Sequence, residues 1–259
     1  MPIVKFKYSE EQITKLLEGI HSGEITEYDI PDDLYFATAD YLLHGLYTGF
    51  GGTLDDFEGK DWELLNNLRE NVYMFSAAKN FQELKDIQGL MFDEKGERIS
   101  MNEFSKIGAQ RFETWNDAWG RTEYGTAVGQ AQMANKWEEV ERNADLLPIA
   151  VFDTKGNPCP ECAPFNNFAA PISDPIWGWL TPLLHFNCEC VIRTEEKGYP
   201  LSDRKVAEDL KDTVPKMFQM NPAKDKVIFS DEHPYFQVEK KDREFAKENF
   251  GKEIPEVKK

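Results

Sequence analysis

Four cysteines and one histidine stand close together in a chain that has no other cysteine: Cys159, Cys162, His185, Cys188 and Cys190. Their order is C-x2-C, twenty-two residues, then H-x2-C-x-C, all inside Pro158–Cys190. Thiolate sulfur and imidazole nitrogen at such spacings are the donors a tetrahedral zinc ion takes, two from one tight turn and two from another. Five candidates compete for four positions, so two ligand sets stay open: three cysteines with His185, or four cysteines without it. Cys188 and Cys190 diverge on an extended chain and both ligate only if that segment turns. Four protein ligands close a site, which suits a structural zinc rather than a catalytic one that keeps a position open. Without a metal, the same residues would be reduced buried cysteines or a redox-sensitive pair.

Other chemistry finds little support. The chain contains no phosphate-binding G-x-x-x-x-G-K-[ST], no G-x-G-x-x-G, no H-E-x-x-H and no G-x-S-x-G. A zinc deaminase needs H-x-E ahead of P-C-x-x-C; here Pro158-Cys159-Pro160-Glu161-Cys162 supplies the second half, but His185 comes after it. Cys159 with His185 could form a nucleophilic pair, although no residue in the sequence is evident that would orient the histidine. His44, alone on a helix, and His233, beside Pro234 and expected to pack on Tyr235, read as structural. The expectation is a protein that is not an enzyme; a zinc-dependent hydrolase or nuclease, or a toxin-related enzyme, using the Cys/His cluster is the alternative.

Those residues sit in a chain of 259, long enough to bury a sizeable core, with 41% hydrophobic and 13% aromatic residues. No apolar run is long enough to span a bilayer and no secretory leader is evident, so a reducing cytoplasm and no membrane partner are expected. Of the charged residues, 15 basic and 32 acidic fall in 1–192, and 15 of each in 193–259. The whole net charge of −17 therefore belongs to the first three quarters, a sign that opposes contact with a nucleic-acid backbone.

The elements that must position the cluster are legible in outline. Ser9 and Gln12 form a capping box for a helix over about 10–21 that stops at Gly23. A second helix resumes after Pro31 and ends at Gly49–Gly52. A third, capped by Asp61, carries Leu65, Leu68, Val72 and Phe75, and either runs on past Lys79-Asn80 or kinks there. After the turn Asp93–Gly96, Ser100 and Glu103 open a helix through Phe104, Trp115 and Trp119, with a bend near Gly120, onward to Trp137 and Val140. The three tryptophans read as core, and Gly125, Gly129 and the alanines as a surface for close approach. Strands are expected over 147–152 and 190–194, joined through the turn 153–157 and the cysteine loops. Beyond Pro200 the pattern predicts a helix over 203–212, a strand over 226–229, a turn at 233–236 and a solvated helix over 240–250 with Phe245 and Phe250 on one side. The fold class is α+β: a helical body over 1–145, a small β and metal-stapled, zinc-knuckle-like unit over 146–195, and a mixed C-terminal extension over 196–259.

From about Phe104 to Ile192 the sequence resembles the phage Mu F-like minor head proteins, the phage head morphogenesis family. Three pieces carry the resemblance in order: a helix with Arg121-Thr122-Glu123 followed by alanines and glycines; a strand leading past Asp153 to Cys159-Pro160-x-Cys162; and Pro182-Leu183-Leu184-His185-Phe186-Asn187-Cys188-Glu189-Cys190 in place of P-P-x-H-P-N-C-R-C. Leu183 and Phe186 replace prolines, and Glu189 reverses the charge of the family's arginine. The resemblance implies a structural protein of a tailed-phage or prophage capsid, incorporated in the host cytoplasm at the portal with other capsid proteins. Some members are thought to accompany DNA into or out of the head, a contact the charge does not support here. Arg121 and Glu123, two apart on one helix, do not face each other, so each needs a partner elsewhere.

Overall fold

A computed structural model describes residues 4–156 and 159–257. Asn157 of the expected turn, Pro158 of the cysteine stretch and the last two lysines lie outside the described residues. The architecture is α+β, a helical N-terminal body, a three-stranded antiparallel sheet beside the Cys/His cluster, and a short mixed C-terminal region.

Helix α1 spans Glu10–Ser22 and starts as its sequence dictates. The Ser9 side chain accepts from the Gln12 backbone N–H, and Gln12 returns a bond to the Ser9 backbone. It stops at Gly23, whose φ of +87° lets the chain turn while its N–H bonds the carbonyls of Gly19 and Ile20. Helix α2 (Asp32–Phe50) follows Pro31. Helix α3 runs Gly59–Gly89 without a break at Lys79-Asn80, and it begins at Gly59, so Asp61 is a first-turn residue rather than the cap. There its carboxylate favours the helix dipole and pairs with Arg142 at 2.9 Å. Helix α4 (Met101–Glu113) is capped by Ser100, passes through a π-helical turn at Thr114–Trp119, and continues as α5 (Gly120–Arg142). One extra residue in that turn rotates the helix face. Trp115 and Trp137 are buried, but Trp119 is 40% exposed, which corrects its expected place in the core.

Strand β1 (Ile149–Asp153) lies between β2 (Ala169–Pro171) and β3 (Val191–Glu195), both antiparallel to it. Val151 faces Arg193 and Phe152 faces Ile192 across one ladder; Ala150 faces Ala170 across the other. The expected strands therefore pair, and the aromatic loop between the two cysteine turns supplies a third, which its three residues were too few to reveal.

The C-terminal region departs most from expectation. Residues 226–229 form no strand: the Asn71 amide accepts from the Ile228 and Phe229 N–H groups and donates to the Phe229 carbonyl, taking the bonds a ladder would use. Helix α6 is only Arg204–Glu208, capped by Asp203, and α7 is the short Pro222–Asp225 capped by Asn221. The helix expected over 240–250 reduces to α8 (Arg243–Ala246) between 3-10 turns, because Asn249, Phe250 and Gly251 all have positive φ. Phe250 is buried, not part of a solvated face.

The chain forms two compact units. One contains the segments up to His44, Val72–Tyr124 and from Pro234 onward; the other contains Gly45–Asn71 and Gly125–His233. In the first, α4 packs on α1 where Gly108 leaves room for Leu17. In the second, Gly49 on α2 meets the Val128 carbonyl of α5 and Gly129 meets Leu183, so the small residues do serve close approach. Trp137 and Trp177 lie 6.0 Å apart in its core. Among the described residues no helix is long and apolar enough to cross a membrane.

Candidate metal centre

The cluster forms where two turns meet at the ends of β1 and β3. The first turn closes as the Cys162 and Ala163 N–H groups bond the Cys159 carbonyl, at 3.2 and 2.9 Å, and a 3-10 turn (Ala163–Phe165) follows. The second is set by Asn187, at φ +58°, and by the Cys188 N–H to His185 carbonyl bond of 3.3 Å. Asparagine tolerates the left-handed region that most side chains avoid. This turn answers the question raised by the C-x-C spacing, since it brings Cys188 and Cys190 to the same point.

All five candidates converge. Cys159, Cys162 and His185 form one group and Cys162, Cys188 and Cys190 another, with donor atoms within 4.8 Å in each, and Cys162 belongs to both. Cys162, at the centre, is fully buried; Cys159 and His185 are part-exposed. Taken as four cysteines, or as three of them with His185, the cluster could bind a metal ion such as zinc.

Distances test the fit. With Zn–S bonds of about 2.3 Å, two sulfurs on a tetrahedral zinc lie about 3.8 Å apart. Cys162 Sγ and Cys188 Sγ are 3.7 Å apart, the right edge for one tetrahedron. Cys159 Sγ and His185 Nε2 are 2.9 Å apart, a hydrogen-bond distance. Both could ligate one ion only after opening to about 3.5 Å, the S···N edge that follows from the usual bond lengths. Cys162, Cys188 and Cys190 thus form one set of three donors, Cys159 and His185 join Cys162 in the other, and both ligand sets stay open. Hydrogen bonding among the thiols, with Cys162 first, lowers the Cys188 pKa, while the bond to Cys188 raises that of Cys162.

The histidine is oriented after all, though not by a side chain. His185 Nδ1 lies 2.7 Å from the Phe186 carbonyl, which can only accept, so Nδ1 carries the proton and the Nε2 lone pair faces Cys159. That is the tautomer a metal ligand needs, held by the kind of backbone partner that fixes ligating histidines. His44 is exposed and bonds the Tyr124 hydroxyl at 2.8 Å; the His233 ring sits 6.1 Å from Phe229.

Arg121 and Glu123 each have their own partner. Arg121 donates to Asp117 one turn back, at 2.9 Å from Nε, on an exposed face. Glu123 is buried, bonded by Lys79 at 2.5 Å and by the Tyr235 hydroxyl at 2.9 Å. It belongs to a polar interior that the sequence did not disclose. Lys79 also donates to the Trp115 carbonyl within the π-helical turn, at 2.9 Å. The fully buried Glu83 accepts from Asn116 at 2.5 Å and from Asn80 at 3.2 Å. Burial pushes the Glu83 pKa up to about 7 against the pull of Lys79 and the two amides, with Glu123 adding to the rise. The one available signal was polar residues at core spacing on α3, where Lys79, Asn80 and Glu83 interrupt an apolar stripe.

No family model, no curated protein and no solved structure matches this chain.

Proposed function

We propose that the protein is a minor head protein of a tailed phage or prophage, acting in head morphogenesis at the portal, with a structural zinc in the Cys/His cluster. One observation carries the reading. The C-P-x-C turn and the H-F-N-C-E-C turn, the two halves of the resemblance to the Mu F-like proteins, lie together as one donor cluster at the ends of paired strands. Three cysteines and a fourth donor close the tetrahedron, so the metal acts as a brace. Zinc supplies the cross-link when bound, and this chain's residues hold the turns in place for it. Glu123, the acidic residue of the R-x-E helix, has a structural part as the buried partner of Lys79. Portal and capsid proteins are the proposed partners, and the virion the proposed location.

The test is co-assembly. Where the flanking genes encode portal and major capsid proteins, the chain is produced with them, and the particles are purified and examined by mass spectrometry. Incorporation that fails in Cys162→Ser supports the reading. Flanking genes of a metabolic operon, or particles that exclude the chain, would end it.

A second reading rests on the 2.9 Å contact between Cys159 and His185, the geometry of a thiol and its general base. It makes the cluster a nuclease or hydrolase centre. Rapid alkylation of Cys159 in the zinc-loaded protein, with hydrolysis lost in Cys159→Ser, would favour it over the brace.

A further inference from the structure

We propose that the Cys/His cluster also takes up a pair of copper(I) ions, with the Cys162 thiolate bridging them. Like the brace, this rests on the cluster being a metal site, but it does not depend on the capsid reading. The donor atoms of Cys159, Cys162 and His185 lie within 4.8 Å of one another, as do those of Cys162, Cys188 and Cys190, and Cys162 belongs to both groups. Zinc takes four ligands in a tetrahedron, so one ion uses four of the five donors and leaves one idle. Five donors cannot close two tetrahedra, even with one of them shared. Copper(I), a soft closed-shell ion, accepts three donors in a plane. Two such ions sharing one thiolate need five donors, the number the cluster has.

The donor chemistry agrees. Thiolate and imidazole retain copper(I), and neither group of three includes a carboxylate. Two copper(I) ions carry the same total charge as one zinc ion, so the second ion leaves the charge of the buried site unchanged. Each thiol that becomes a ligand releases its proton to solvent, and the copper is neither oxidised nor reduced on binding.

The local structure suits two neighbouring ions. Cys162 stands where the two groups meet, and a thiolate sulfur has lone pairs for two metals. Cys162 and Cys188 are buried, which keeps water and oxidants from the inner ion, and their sulfurs are 3.7 Å apart, a span one metal can bridge. Cys159 and His185 are part-exposed and give an ion a route into the outer group. The Phe186 carbonyl holds the proton on His185 Nδ1, so Nε2 is the free donor. Nε2 and Cys159 Sγ, 2.9 Å apart, must open to admit the outer ion, as they must to share a zinc.

The test is anaerobic titration of the full chain with copper(I), supplied as its acetonitrile complex, read by native mass spectrometry and X-ray absorption. Two copper ions per chain are expected, with three-coordinate, sulfur-rich geometry and a short copper–copper distance. His185→Ala should keep one copper instead of two against a competing copper(I) chelator, while its four cysteines still hold one zinc. Cys159→Ser removes the other outer donor and should act alike, which keeps the proposal testable if one variant misfolds. Saturation at one copper, two coppers without a short separation, or two retained coppers in both variants would overturn it. Zinc measured on the same samples separates this proposal from the brace. One zinc with only one copper removes the copper pair and leaves the brace, whereas two coppers in a chain that takes no zinc remove the brace alone.

Discussion

The molecule contains two buried polar centres of opposite character. Around Lys79, Glu83 and Glu123, cation, anions and amides meet within one unit, and a carboxylate near an ammonium needs nothing from outside. Around Cys162, in the other unit, the members are thiols and an imidazole, each a metal donor. Burial penalises both; in the first the ion pair and the amide N–H bonds offset much of the cost, although Asn80 Oδ1 and Asn116 Oδ1 have no partner among the described residues. The first centre is therefore a packing device, and the second is a donor set that could bind a metal ion such as zinc. Experiments that remove one component from each centre should give different results, and they rank by size.

Breaking the cysteine centre should have the largest effect. Metal binding in small zinc sites is worth on the order of 10 kcal/mol, much of it folding free energy. Cys162→Ser, the residue common to both donor groups, should lower the zinc content from about one per chain to near zero. It should also melt the turns at 159–165 and 185–190, read as lost amide protection in hydrogen exchange. Glu123→Gln comes next. It leaves the buried Lys79 ammonium without its counter-charge, at a cost of about 3–5 kcal/mol, measured by urea unfolding. Zinc content should not change.

Glu83 gives the pH signature of the first centre. Its pKa is about 7 in the folded chain, against an ordinary 4.5, so between those values the native state keeps a proton that the unfolded chain has lost. Stability from this group is complete below about pH 4.5, falls as the pH rises to 7, and is level above. The shift corresponds to roughly 3 kcal/mol across that window. Glu83→Gln should flatten this part of the stability profile, and Glu123→Gln, by removing a like charge, should move the transition to lower pH. The smallest effect is outside both centres: Gly23→Ala forces a side chain into φ +87° and should cost about 1 kcal/mol in the same urea assay.

How much of this was legible in the sequence follows from the range of the interactions. Helix α1 was readable to within a residue because Ser9, Gln12 and Gly23 act on their own neighbours. The cysteine centre was readable as a set of five because donor chemistry is carried by residue type. Which four ligate was not, since that depends on how the turn at Asn187 aims Cys188 and Cys190. The residues at 226–229 have strand composition, yet Asn71, more than 150 positions away, takes their hydrogen bonds. Trp119 had the spacing of a core residue until the π-helical turn changed the phase of the helix. The buried Lys79–Glu123 pair was hidden for the same reason: the two residues are 44 apart, and only the packed structure brings them to 2.5 Å.

The central claim, that the second centre is completed by a metal, is tested most directly by the metal content and thiol reactivity of the native protein. The account predicts one zinc per chain and cysteines shielded from a thiol reagent until a chelator removes the ion, with cobalt substitution giving a tetrahedral, thiolate-rich spectrum. Metal-free protein that is fully folded, with thiols that react at once and no response to added zinc, would contradict it.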